Sequence, residues 1–361
     1  MDSFGIYITP KTGFADKKAL LKLHVNLWEL SSKKCFIDFG IWVKEPDSIK
    51  NIVFTVPFSV KTEDFEDLIP LMADNTSLNN LIFNRDATIT SSSGLGKNKN
   101  TLCTLTINTA EKPEKAVLCP TSCSQVKVHE SRECSEPFTI ISMDIPTRVE
   151  SAEDSPGYDS VYFRFRLKSP ALKTKLLSPI ERKNSGFESA FTKTEIIDFK
   201  INEIRNIDMR MQSELPKESS FAKIERVDFF VMEPAENEVA NMGKNAECRN
   251  LEEEWSKYLH MDVPLSHMLA YQWTKKAKTD VEGRDGTFTS YSQLVKVTYS
   301  STNWRTLLCY SAAVILLSII ATFIYEHRLS ISLVVSGISD FFVALSVLFE
   351  KIASFFVDIK A

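Results

Sequence analysis

The sequence predicts a mainly β protein: two β-sandwich-like or barrel-like modules followed by a C-terminal two-helix transmembrane hairpin. Three observations lead there. Apolar and polar residues alternate with period two along much of the first three hundred positions, helical periodicity is sparse over the same stretch, and the last sixty positions are apolar.

In chain order, Leu21, Leu23, Val25 and Leu27 alternate with Lys22, His24 and Asn26, the pattern of a half-buried strand. Further strands are expected over residues 35–43, 52–58, 102–107, 116–119 and 138–143. A helix is the weaker reading of residues 63–72. In the second half, Val161, Phe163, Phe165 and Leu167 alternate with Tyr162, Arg164, Arg166 and Lys168, and strands follow over 197–201, 224–232 and 288–299. A short helix over 250–260 would gather Leu251, Trp255, Tyr258 and Leu259 on one face. Pro, Gly, Asn and Ser clusters separate these runs, as in sandwiches and barrels. The acidic, Ser/Pro/Gly-containing stretch 149–158 marks a boundary, so residues 1–150 and 151–303 are expected as two β-rich modules and 304–361 as the membrane region. An echo links the halves: Ile37-Asp38-Phe39 with Glu45-Pro46, and Val227-Asp228-Phe229 with Glu233-Pro234. Coincidence and duplication both remain open.

Composition sets the class. With 43 Lys+Arg against 47 Asp+Glu, 43% hydrophobic and 25% charged residues, the 361-residue chain is ordinary globular protein, which excludes disorder, collagen-like repeats and a disulfide-stapled miniprotein. A net charge of −4 exerts no global pull on nucleic acid, which is not an expected partner. Seven irregularly spaced cysteines fit reduced thiols, and Met1-Asp2-Ser3-Phe4-Gly5 opens no secretory signal, so a cytosolic β-rich part is expected.

Neither H-E-x-x-H nor G-x-S-x-G occurs, and no catalytic constellation or cofactor is expected; the reading is a non-enzyme. Residues 91–98 (SSSGLGKN) lack the first glycine and the Ser/Thr of a phosphate loop. Cys119, Cys123, His129 and Cys134 offer soft ligands, but their C-x3-C-x5-H-x4-C spacing is not a compact zinc pattern, and no metal is assigned. Arg164, Arg166, Lys168, Lys173 and Lys175 are the candidate binding residues for an anionic ligand, joined by Arg182 and Lys183. A solvated strand face is the plainer reading of the same charges.

Residues 306–325 (TLLCYSAAVILLSIIATFIY) carry no charge, and a helix of that length reaches about 30 Å. A second helix is expected over 329–359. Lys275, Lys276, Lys278, Lys296 and Arg305 precede the first span and Lys351 and Lys360 follow the centre of the second, which places both ends in the cytosol. In the second helix, turns of about 100° bring Ser332, Ser336, Ser339, Asp340, Ser346, Glu350, Ser354 and Asp358 onto one face. A carboxylate at Asp340 would cost about 2.5–3.5 kcal/mol within a bilayer, so pore lining, closed helix packing and an interfacial helix compete for the stripe, with an oligomeric pore preferred. The expected partners are therefore a lipid membrane, further copies of the chain, and a cytosolic protein or anionic ligand. This layout looks like the general plan of bacterial antiviral membrane effectors, which implies a bacterial inner-membrane protein whose β-rich part controls permeabilisation. The rival reading is a tail-anchored structural adaptor.

Overall fold

In the computed structural model the described residues are 2–13, 19–31, 34–92, 102–109, 112–129, 136–146, 159–180, 192–241, 246–259, 265–278, 286–300 and 304–326. The first half forms β1 (Gly5–Pro10), β2 (Leu20–Ser31), β3 (Lys34–Lys44), β4 (Ile49–Val56), β5 (Phe65–Asp67), α1 (Ile69–Asp74), α2 (Thr76–Phe83), β6 (Ala87–Ser92), β7 (Leu102–Ile107), β8 (Glu114–Leu118), β9 (Val126–His129) and β10 (Phe138–Asp144). Next come β11 (Ser160–Leu167), α3 (Ala171–Leu176), β12 (Leu177–Ile180), β13 (Thr192–Ile201), α4 (Met209–Ser213), β14 (Ser220–Phe221) and β15 (Lys223–Pro234). The chain continues through β16 (Glu238–Asn241), β17 (Glu247–Asn250), α5 (Trp255–Leu259), β18 (Met268–Lys276), β19 (Tyr291–Ser300) and α6 (Trp304–Glu326). Over 63–72, where the sequence suggests a helix, the chain makes a 3-10 turn at Thr62–Asp64, then β5, then α1, which Pro70 opens in its first turn.

Three sheets result. A ten-stranded sheet runs β17-β18-β15-β2-β3-β11-β8-β7-β6, with β5 also on β11; a five-stranded sheet runs β14-β1-β4-β10-β9; a four-stranded sheet runs β12-β13-β19-β16. Neighbours are antiparallel except β15 with β2 and β11 with β8.

The odd-numbered apolar rows Leu21–Leu27 and Ile37–Val43, with Val161, Phe163, Phe165 and Leu167, face the two smaller sheets in one core that also takes Ile6, Phe54, Ile141, Phe199 and Val295. Phenylalanines fill its centre: Phe39 lies 4.6 Å from Phe54 and 5.1 Å from Phe4 between ring centroids. The opposite face of the ten-stranded sheet is covered too. Trp28, Phe36, Trp42, Tyr162 and Met232 pack there against Ile69 and Met72 of α1, Leu78 and Ile82 of α2, and Trp255, Tyr258 and Leu259 of α5. Alternation in β2, β3 and β11 therefore separates two interiors, one mainly apolar and one mixed, rather than core from solvent.

The chain divides into two units, Met1–Ser300 and Ser301–Ala361. Strands from both sides of residue 150 share sheets, since β3 pairs with β11 over Ile37–Leu167 to Lys44–Ser160, and β2 pairs with β15.

The transmembrane hairpin is corrected. The helix expected at 306–325 forms as α6, but among the described residues no helix is long and apolar enough to cross a membrane. The second expected helix, 329–359, lies outside the described residues. No described helix supports a membrane span or a pore.

Candidate functional site

Charge gathers on the mixed face of the ten-stranded sheet, where pairing fixes three cross-strand rows. The central one runs Thr274, Asp228, His24, Gly40, Arg164 across β18, β15, β2, β3 and β11. Beside it lie Arg226, Lys22, Trp42 and Tyr162 on one flank and Phe230, Asn26, Asp38 and Arg166 on the other. Gly40 makes the crossing possible: a Cβ there would stand 2.2 Å from Tyr162 Oη and 2.9 Å from Arg164 Nη1.

Asp38 organises one flank. Arg166 grips it with Nε to Oδ1 at 2.6 Å and Nη2 to Oδ2 at 3.1 Å, while Tyr258 Oη (2.7 Å) and Trp28 Nε1 (2.9 Å) donate to Oδ2. Arg164 Nε donates to Tyr258 Oη at 2.8 Å and its Nη1 to Tyr162 Oη at 3.0 Å. The Arg166 guanidinium also lies 4.5 Å from the Phe36 ring centroid and 4.8 Å from that of Tyr258. Asp38, Arg164 and Arg166 are each 0% exposed. Burial pushes the Tyr258 and Tyr162 hydroxyls up, so both stay protonated, Tyr258 donating to Asp38 and Tyr162 accepting from Arg164. Burial opposes the charge on the two arginines, but their phenol and carboxylate partners outweigh it and raise both.

On the other flank a cleft of about 260 Å³ opens above Lys22, His24, Arg226, Asp228 and Gln272. Its roof comes from the end of α2 (Ile82, Phe83, Asn84, Arg85), from Ile107, Thr109 and Glu114 around the β7–β8 turn, and from Glu247 of β17. Asparagines set the roof. Asn75 caps α2 by accepting from Leu78 N at 3.2 Å, Asn79 Nδ2 donates to Met72 O at 2.9 Å, Asn80 Oδ1 accepts from Ala87 N at 2.8 Å, and Asn84 ends the helix left-handed at φ 51. Phe83 is thereby held edge-on to His24, with centroids 5.3 Å apart.

The floor is internally paired. Lys22 Nζ meets Glu114 Oε1 at 2.6 Å, and Asp228 accepts from Arg226 Nε at 2.5 Å, Arg226 Nη2 at 2.8 Å, Thr274 Oγ1 at 2.6 Å and Gln272 Nε2 at 3.2 Å. Burial opposes ionisation of Asp228, yet the Arg226 and Thr274 hydrogen bonds and His24 hold it below the usual carboxylate range. Burial pushes His24 down to about 4 despite the Asp228 charge, so the imidazole is neutral near pH 7. Its Nε2 stands 3.7 Å from Asp228 Oδ2, beyond hydrogen-bond reach.

The expected binding residues do not converge. Arg164 and Arg166, expected on a solvated strand face, are interior because α5 covers that face. Lys168 Nζ pairs with Glu66 Oε2 at 2.8 Å, Lys173 Nζ with Glu29 Oε1 at 3.3 Å, and Lys175 with Asp2 and Glu136. Arg182, Lys183, Cys134, residues 93–98, and Ser332, Ser336, Ser339, Asp340, Ser346, Glu350 and Ser354 lie outside the described residues. Among the described residues no group of three or more His, Cys, Asp or Glu is arranged to hold a metal ion. His24, Gly40, Asp228 and Gln272 were not singled out as site residues from sequence. The repeated apolar-Asp-apolar triplet at 37–39 and 227–229 was the available signal, because an acid inside a buried strand requires partners. Neither a protein-family model nor a curated protein matches the chain.

Proposed function

We propose that the Met1–Ser300 unit is a non-enzymatic recognition module whose cleft over His24 and Asp228 takes a small polar ligand with both donor and acceptor edges. The observation that carries this reading is the charge balance of the cleft. Lys22, Arg85 and Arg226 stand among Glu114, Asp228 and Glu247, with a neutral His24 between them. Such a lining favours a zwitterion or a neutral heteroaromatic over a polyanion. A volume of about 260 Å³ suits a ligand of amino-acid or nucleobase size, at the small end for binding sites. A His and an Asp held apart, with the Asp saturated by other donors, suit recognition better than proton transfer. The test is a thermal-shift panel of free amino acids and nucleobases on wild type and on R226L. A compound that raises the wild-type midpoint and loses at least tenfold in affinity on R226L supports the reading, and a panel without effect, or effects equal in both proteins, removes it.

Self-association is the second proposal, and α6 favours it. Leu307, Leu308, Val314, Ile315, Leu317, Ile319, Phe323 and Ile324 are all more than half exposed on that helix, more apolar surface than an isolated copy ordinarily leaves in water. Sedimentation of the full chain should give a multiple of the monomer mass that L317N/I319N reduces; a monomeric wild type rejects it.

A further inference from the structure

Three carboxylates converge at one end of the core between the ten-stranded and four-stranded sheets. Glu29 follows Trp28 on β2 and Glu233 follows Met232 on β15, and the parallel register that pairs Trp28 with Met232 sets these two acids side by side. Glu195 of β13 faces them from the other sheet and acts on Glu233 electrostatically, as Glu29 does. Glu233 is 0% exposed and Glu195 9%.

Among the described residues each acid has a donor. Asn237 Nδ2 donates to Glu233 Oε2 at 2.8 Å, Tyr299 Oη of β19 to Glu195 Oε1 at 2.7 Å, and Lys173 Nζ of α3 to Glu29 Oε1 at 3.3 Å. Glu233 Oε1 and Glu195 Oε2 are buried with no hydrogen-bond partner among the described residues. The other titratable groups at this end are Cys35, which β3 pairs opposite Glu29, and Tyr271 of β18, which faces Cys248 of β17. Neither supplies a positive charge; among the described residues the cation at this end is Lys173, paired with Glu29.

Buried carboxylate oxygens without donors are costly, and apposed carboxylates relieve that cost by retaining a proton or binding a cation. The described acids are not arranged to hold a metal ion, which leaves the proton. We propose that Glu233 retains a proton at neutral pH, directed at the neighbouring Glu29, and that this end of the core is a proton-dependent clasp between β2 and β15 of the ten-stranded sheet. Burial, followed by the neighbouring Glu29 charge, raises the Glu233 carboxyl well above the usual range, in keeping with the geometry. A carboxyl raised in the folded state stabilises fully below its unfolded value of 4.5, and that contribution is lost as pH rises through the folded value. Rising pH should therefore loosen the clasp.

The experiment follows the thermal midpoint of the full chain from about pH 5 to about pH 9 in wild type, E233Q and E29Q. Gln at 233 keeps a permanent N–H toward Glu29, imitating the protonated Glu233 carboxyl. Wild type should lose about 2–4 °C across the range beyond any loss in E233Q, and E233Q should exceed wild type at the alkaline end. Parallel curves for wild type and E233Q overturn the proposal, as does a wild-type midpoint that Mg²⁺ or Ca²⁺ raises and E233Q does not, since a cation would then hold the acids. Should E233Q fail to fold, E29Q takes its place. The infrared spectrum of wild type near pH 7 decides independently, because a protonated buried carboxyl band is required and its absence rejects the protonated Glu233.

Discussion

Asp38 accepts four hydrogen bonds from three aromatic and cationic side chains while fully buried, so its charge and the Arg166 charge depend on each other. Removing one partner of such a pair strands the other. D38N should therefore cost about 3–5 kcal/mol in urea unfolding, whereas changing both partners at once, as in D38L/R166M, should cost less than the single change. His24 carries a pH signature of opposite sign to the clasp. Its folded-state value of about 4 lies below the ordinary 6.5, so the unfolded chain takes up the proton first and stability falls as pH drops from 6.5 to 4. H24Q should remove about one proton of pH dependence in that window, read from the slope of unfolding free energy against pH.

Among the elements, α2 illustrates how short-range chemistry places a long-range wall. Four asparagines in ten positions fix where the helix starts, how it meets α1 and where it stops. N75A should cost about 1 kcal/mol in thermal unfolding and, by loosening Phe83, weaken any ligand found for the cleft. The strands themselves were legible because Leu21–Leu27 and Val161–Leu167 alternate cleanly, and the positions of β3, β7, β10, β15 and β19 follow from their apolar runs. The second cover of the sheet was not. Lys22, His24, Arg164 and Arg166 look like a wet face in sequence, and the docking of α1, α2 and α5, with Trp255 5.5 Å from Trp28 and Tyr258 on both arginines, makes that face an interior. Short edge strands such as β14 (Ser220–Phe221) and β17 (Glu247–Asn250) exist by pairing with neighbours and leave too few residues for a period to show. The cleft was illegible for a related reason: its floor spans strands more than two hundred residues apart, as Lys22 with Arg226 shows.

At the scale of the whole molecule, residue 300 divides two units, and all three sheets and both faces of the largest belong to the first. A chain ending at Ser300 should keep its cooperative thermal transition, with a midpoint within about 2 °C of the full chain by circular dichroism. A broad or lost transition would show that α6 contributes to the core.

The parallel pairing of β2 with β15 joins Leu20–Trp28 to Lys223–Met232 in the middle of the ten-stranded sheet. During synthesis, one edge of β2 thus waits until more than two hundred further residues have left the ribosome. Until then its Leu21, Leu23, Val25 and Leu27 row has a β3 hairpin on one side and an open backbone ladder on the other, a template for strands of foreign chains. Closing so long a loop comes late and slowly on the way to the native state. The nascent first half is thereby the stage at which this protein most needs shielding, and a chaperone that binds apolar extended segments should engage it there, releasing it only after β15 arrives.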